Sequence, residues 1–172
     1  QLGGTMIALE LTNIKDFMNK LLKTETFDHF LLQEAVLSSA ASYVIDGHIT
    51  NGFYSESELE ELGLTGLKML PFSSLRGNCF DLIKGKKAPA SFKFIFLLSP
   101  DNLEKTIAAS DSSFTANDIS GMFFNIKYQN QLLSLTTGVS YNIFSPDKTL
   151  ENYWDTLIKK FLFQNEITYE EL

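Results

Sequence analysis

Ile14, Phe17, Met18, Leu21 and Leu22 recur at i, i+3, i+4, i+7 and i+8. That spacing puts all five on one face of a helix. It predicts a helix from about Asn13 to Lys23, with Thr12 or Asn13 placed to accept an orphan backbone N–H of the first turn. A longer stripe, Leu150, Tyr153, Trp154, Leu157, Ile158, Phe161 and Leu162, predicts a final helix. Its opening, Ser145-Pro146-Asp147, combines a cap, a first-turn proline and an acid at the positive end of the helix dipole. Ser99-Pro100-Asp101 repeats that opening before Leu103 and Ile107, which predicts a middle helix. Ser55 with Glu58 and Thr115 with Asp118 match a capping box, so two shorter helical turns are expected, with Gly63 and Gly121 as their ends.

Strand-like runs cover Met6 to Leu11, Tyr43 to Ile49, Cys79 to Ile83, Ser91 to Leu98, Met122 to Tyr128 and Leu132 to Phe144. Tyr128-Gln129-Asn130-Gln131 sits between two of them and reads as a hairpin turn. In the second run Tyr43, Ile45, Gly47 and Ile49 share one face, the more apolar one. Phe30 to Ala40 suits either a helix or a strand, and Gly63 to Asn78 reads as a long connection.

The order strand, cap, amphipathic helix, strand-like sequence occurs twice, from Ile7 and again from Phe92. Two β-α-β-β units imply an α+β fold, an antiparallel sheet with helices on one face. That arrangement resembles one domain of a DNA sliding clamp in topology alone, and fold does not carry function. Residues 6–172 form one domain in this reading, and Gln1 to Thr5 look like an expression scar before a natural start at Met6.

Composition narrows the function classes. The chain has 172 residues, 44% of them hydrophobic and 15 of them Phe, enough for a sizeable core. A single cysteine, Cys79, allows no internal disulfide, and the longest purely apolar run, Phe94 to Leu98, is too short to span a bilayer. No signal-peptide pattern follows Met6, so the expected location is the cytoplasm, with no membrane association. A formal charge of −7 disfavours nucleic acid and anionic lipid as partners.

Several short segments carry a family resemblance: Thr26-Phe27-Asp28, Ile45-Asp46-Gly47-His48, Leu82-Ile83-Lys84-Gly85-Lys86, Thr136-Thr137-Gly138 and Trp154-Asp155. Through them the stretch from Met6 to Leu172 resembles a family of small uncharacterised proteins from anaerobic Gram-positive bacteria. The resemblance implies a domain of unknown function and supplies no catalytic residue.

The strongest electrostatic feature is basic. Arg76, Lys84, Lys86, Lys87 and Lys93 fall in a stretch whose only acid is Asp81. A glycine within a lysine turn lets backbone N–H and ammonium groups converge on an oxyanion. Arg76, Lys84, Lys86 and Lys87 are therefore the candidate anion-binding residues, against the plainer reading of a solvated hairpin turn between strands 79–83 and 91–98. The spacing is not that of a P-loop. Asp46 and His48 lie two apart on one strand face, and a metal site there would need further ligands such as Asp28 and His29. Cys79 could serve as a nucleophile but reads as a core cysteine. Glu56, Glu58, Glu60 and Glu61 lack calcium-loop spacing, and no serine-elbow or dinucleotide motif occurs. No catalytic set, metal or cofactor is therefore assigned. The leading expectation is a non-catalytic binding or interaction domain with a protein or anionic partner. The rivals are an enzyme acting on an anionic small molecule and a clamp-like nucleic-acid module using Lys15, Lys20, Lys23, Lys159 and Lys160.

Overall fold

A computed structural model describes residues 5–172. The expected scar at residues 1–5 lies outside the described residues except for Thr5. Seven strands form one antiparallel sheet: β1 (Thr5–Leu11), β2 (Leu31–Ser38), β3 (Ser42–Asp46), β4 (Ser91–Leu97), β5 (Ile119–Gln129), β6 (Leu132–Tyr141) and β7 (Tyr169–Glu171). Their spatial order is β3-β2-β4-β5-β6-β1-β7. The helices are α1 (Ile14–Lys23), α2 (Glu56–Glu61), α3 (Arg76–Ile83), α4 (Pro100–Ala109) and α5 (Thr149–Gln164).

Strand direction dictates where the helices go. Every neighbouring pair is antiparallel, so β1 and β2 point the same way, as do β3 and β4, and β6 and β7. Strands that point the same way need a crossover, usually helical, and such crossovers are right-handed. The first crossover moves one way across the sheet from an upward strand. The other two move the opposite way from downward strands. Reversing both leaves the face unchanged, so α1, α3 and α5 belong on a single face. Phe17 and Leu21 of α1, Cys79 of α3, and Leu150, Trp154, Ile158 and Leu162 of α5 accordingly share one buried core.

The sheet side of that core is aromatic. Phe92, Phe94 and Phe96 alternate along β4 with less buried residues. Phe27, fully buried, packs its ring 5.5 Å from Phe17, Phe96 and Phe161 alike. Trp154 brings α5 onto the same layer, and its Nε1–H donates to the Phe123 carbonyl at 2.9 Å.

Most elements follow the local pattern. Asn13 caps α1, Ser99 caps α4, and Ser55 with Glu58 forms the expected capping box of α2. Gly63, at φ +71°, follows that short helix. The Thr115–Asp118 box closes a single tight turn, but Gly121 lies inside β5 and ends no helix. Asn130 and Gln131, both at positive φ, make the two-residue β5–β6 turn. The final helix starts later than its opening signals suggest, because Ser145 Oγ and Asp147 Oδ1 accept backbone N–H groups in a turn before Thr149. The ambiguous segment at 30–40 is strand β2, and β7, too short and acidic to show a pattern, is an unexpected edge strand.

The run Cys79 to Ile83 is not a strand. It is the body of α3. A short apolar run suggested a strand, but β3 and β4 point the same way, so the chain between them must return across the sheet, and the helix makes that return. The lysine turn consequently joins a helix to β4, not two strands of a hairpin.

The β-α-β-β order does occur twice, as β1-α1-β2-β3 and β4-α4-β5-β6. The two units sit differently: β4 and β5 are neighbours, whereas β6, β5 and β4 separate β1 from β2. Two glycines permit close approaches. A Cβ on Gly47 would stand 1.7 Å from the Leu32 carbonyl oxygen, at the bulge where β2 skips Gln33 in its pairing with β4. A Cβ on Gly138 would stand 2.1 Å from the Phe123 ring, which lies across β6 on the face away from α1, α3 and α5.

Replacing Trp154 with Ala should cost about 3–5 kcal/mol in chemical denaturation, the usual loss for a large buried aromatic. Trp154→Phe should cost about 1 kcal/mol for the lost hydrogen bond plus a packing defect. A change under about 1 kcal/mol for Trp154→Ala would mean that α5 does not close the core. The Cys79 thiol is fully buried and pushed up to about 12 by burial. It should therefore react with a thiol reagent only as fast as the protein unfolds, and rapid modification of the native protein would contradict its place in α3.

Candidate functional site

The helix-covered side is not closed everywhere. Helix α1 turns Phe17 and Leu21 into the core, but its Ile14-Met18-Leu22 row, spaced at i, i+4 and i+8, faces α3. Phe80 and Ile83 of α3 complete the floor of a cleft of about 550 Å³ between the two helices. Lys15 and Lys23 stand on its α1 side, and Lys84 and Lys87 on the side of the lysine turn. Two basic groups far apart in sequence thus rim one apolar floor. Lys23 holds its ammonium 5.9 Å from the centre of the Phe80 ring, a cation–π contact that ties rim to floor.

The charges on this rim are little compensated. Lys84 pairs with Asp81 at 3.0 Å in an exposed i,i+3 bridge. Among the described residues no carboxylate lies within ion-pair distance of Lys15, Lys23, Lys86 or Lys87. Lys86 lies outside this cleft and, with Lys84 and Lys87, lines a neighbouring hollow of about 490 Å³ against Ser39 and Ala40. Gly85, at φ +151°, makes the turn that separates these lysines.

Arg76 stands apart from them. It opens α3 while the lysines follow its end, about 12 Å along the helix. Its guanidinium donates from Nε to Asp28 Oδ1 at 2.9 Å and from a terminal nitrogen to Oδ2 at 3.2 Å. Asp28 is 7% exposed, and the pair pins the start of α3 to the segment before β2. The hydrogen bonds to Asp28 hold the Arg76 guanidinium above its ordinary range. The clamp-type lysines are likewise divided. Lys20 donates to Asp16 and to the Glu166 carbonyl, and Lys159 donates to Glu171.

His48 Nδ1 lies 2.5 Å from Asp46 Oδ1, which also accepts the His48 backbone N–H. These bonds hold the Asp46 carboxyl below its ordinary range. The pair is exposed, and His48 borders a hollow of about 360 Å³ that Thr50 and Tyr54 also line. Asp28, bound to Arg76, does not join it. Among the described residues no group of three or more His, Cys, Asp or Glu side chains is placed to hold a metal ion. Of the acidic group, Glu58 caps α2 by accepting the Ser55 N–H, which lowers its carboxyl.

The polar stretch in β6 is a fastener. Thr137, fully buried, donates to Asp155 Oδ1 at 2.6 Å and accepts the Ile7 N–H at 3.3 Å, linking β6, α5 and β1. Burial pushes the Asp155 carboxyl up. Beneath the start of α5, the Tyr141 hydroxyl and Glu151 Oε2 are buried without a hydrogen bond. Lys148 Nζ, 3.2 Å from Glu151 Oε2, supplies charge there without hydrogen-bond geometry. Burial, with Glu151 and Asp147 nearby, pushes the Tyr141 phenol up to about 12.

The cleft itself was not legible in the sequence. Lys15 and Lys23 were visible on α1, and Lys84 and Lys87 in their turn, but their meeting depends on α3 being a helix laid beside α1. The i+4 row of Ile14, Met18 and Leu22 was the available signal, since it is wider than a stripe that meets the core alone. No helix is long and apolar enough to cross a membrane among the described residues. No curated protein and no solved structure matches the chain. A family model does match, over residues 20–170, and so takes in α3 and the lysine turn but, of the α1 side of the cleft, only Leu22 and Lys23. The chain belongs to a family of unknown function, DUF5721.

Proposed function

We propose that the protein is a non-catalytic binding domain whose α1–α3 cleft takes an acidic amphipathic helix of a partner protein. One observation carries this reading: the lysines of α1 and those of the lysine turn rim the same apolar floor. A helix docks in a groove through an apolar row at i, i+3, i+4 and i+7, which suits the floor of Ile14, Met18, Leu22, Phe80 and Ile83. Acids flanking that row would meet Lys15 and Lys23 on one side and Lys84 and Lys87 on the other. The floor favours a peptide over nucleic acid, because a phosphate backbone has nothing to place on aliphatic side chains. The chain's net charge of −7 repels acidic chains generally and leaves this patch as the place where one is attracted. In this proposal Lys15, Lys23, Lys84 and Lys87 meet the acids at the cleft, and Lys86, on the neighbouring hollow, adds its charge beside them. Arg76 serves the fold.

The probe for this reading is a fluorescein-labelled synthetic helix with leucines along one face and glutamates on the flanks. Its control has the same composition with the leucines scattered. The striped peptide should bind, and raising the salt should weaken it. Lys15→Glu combined with Lys87→Glu should weaken binding by about tenfold or more, since exposed pairs contribute up to about 1 kcal/mol each. Lys84→Ala with Lys86→Ala and Lys87→Ala should weaken it as well, while the melting temperature hardly moves. Equal binding of both peptides, variants that bind like the wild type, or a preference for a DNA duplex over the striped peptide would each overturn the proposal.

A further inference from the structure

The two edges of the sheet are built differently. At one edge, β7 has three residues and two of them are Glu170 and Glu171. Charge and brevity of this kind block pairing with another chain. At the other edge, β3 reads Ser42-Tyr43-Val44-Ile45-Asp46, with no proline, lysine or bulge. Val44 is 65% exposed and Tyr43 40%, while Ile45 is half-buried against the core. Among the described residues only β2 pairs with β3.

The ladder to β2 fixes which backbone groups are free. Ser39 N–H donates to the Ala41 carbonyl and Gly47 N–H to the Gln33 carbonyl. Bonded pairs alternate along an antiparallel ladder, so Tyr43 faces Leu37 and Ile45 faces Ala35 with their amides turned inward. Ser42, Val44 and Asp46 therefore present N–H and C=O groups outward, with no strand beyond them.

The sequence of this edge is complementary to itself. When β3 meets a second β3 antiparallel about a two-fold axis through Val44, Val44 faces Val44, Tyr43 faces Ile45 and Ser42 faces Asp46. The outward-pointing residues are the ones that exchange backbone bonds in this register. Apolar side chains meet apolar ones, and each Asp46 carboxylate meets a serine hydroxyl instead of a like charge. An axis through Ile45 would also set outward-turned residues opposite each other, but it would place Val44 against Asp46. A shift by two, to Asp46, would place two carboxylates face to face.

We propose that β3 is a homodimerisation edge, joining two copies of this chain into one continuous sheet through an antiparallel β3–β3 pair centred on Val44. The partner is a second copy because this register satisfies the charges and outward amides of both strands. The interface is independent of the α1–α3 cleft, which lies on the helix-covered face and does not include β3. Two copies joined in this way would carry two clefts in fixed relation, so a bivalent partner would bind more tightly than a single helix.

A five-residue edge is small, so the dimer is expected to be weak and concentration-dependent. Analytical ultracentrifugation of the whole chain from about 1 to about 500 µM should show a monomer–dimer equilibrium. Val44→Lys places two ammonium groups opposite each other and should raise the dissociation constant at least about tenfold, with the melting temperature nearly unchanged. Val44→Cys should form an intermolecular disulfide on mild oxidation, because facing Cα atoms stand about 5.5 Å apart, within disulfide reach. Ser42→Cys should not, because the two cysteines would be about 14 Å apart at the strand rise. Wild-type protein that stays monomeric throughout, a Val44→Lys variant that dimerises like the wild type, or equal cross-linking at positions 42 and 44 would overturn the proposal.

Discussion

Everything in this molecule depends on burying one face of one sheet. Phe92, Phe94 and Phe96 in β4 set an aromatic layer that water must be kept from, and Phe27 locks α1, α5 and the sheet together around it. At roughly 25 cal/mol per Å² of apolar surface, a layer of buried rings dominates the favourable side of folding. The cover comes from three crossovers whose common handedness assigns them to the same side. One rule of chain chirality thus decides which face is core.

That economy has consequences for the surface. Three helices laid side by side on a seven-stranded sheet meet along seams, and a seam closes only where side chains interdigitate. Between α1 and α3 they do not close, and an apolar floor shows through, ringed by lysines whose ammonium groups reach water while their stems cover hydrocarbon. The opposite face is not covered by α1, α3 or α5. There Leu97 lies opposite Phe123, Ile95 opposite Asn125 and Lys93 opposite Lys127, and Ile95, Leu97 and Phe123 border an open hollow of about 450 Å³ with Met69. The polar residues at one end keep that face from becoming a second core while leaving it partly apolar.

The short segments that carry the family resemblance in the sequence sort by what they fasten. Asp28 anchors the start of α3 through Arg76. Gly47 lets the chain pass against the β2 bulge without a Cβ in the way. Thr137 and Asp155, in two separate segments, turn out to be partners, and Trp154 reaches the same layer as Gly138 and Phe123. These are fixings for crossovers and strands. Lys84-Gly85-Lys86 is the exception, because it leaves the core and turns charge toward solvent.

By itself the sequence determined every element with a period of its own. The i, i+3, i+4 stripes of α1 and α5 and the alternation in β4, β5 and β6 state which face is apolar, and caps at Asn13, Ser55 and Ser99 state where helices begin. The basic character of 84–87 was legible too, because charge is a property of composition. Tertiary structure decided what had no local period. Cys79-Phe80-Asp81-Leu82-Ile83 is a short apolar run that can pass for a strand, and it is a helix because β3 and β4 point the same way and a return across the sheet is required. The lysine-rimmed cleft follows from that helix, since Lys15 and Lys87 are neighbours only when α3 lies beside α1. Arg76 leaves the lysine group for Asp28 for the same reason: a partner 48 residues away is a fact about packing, which no local pattern encodes.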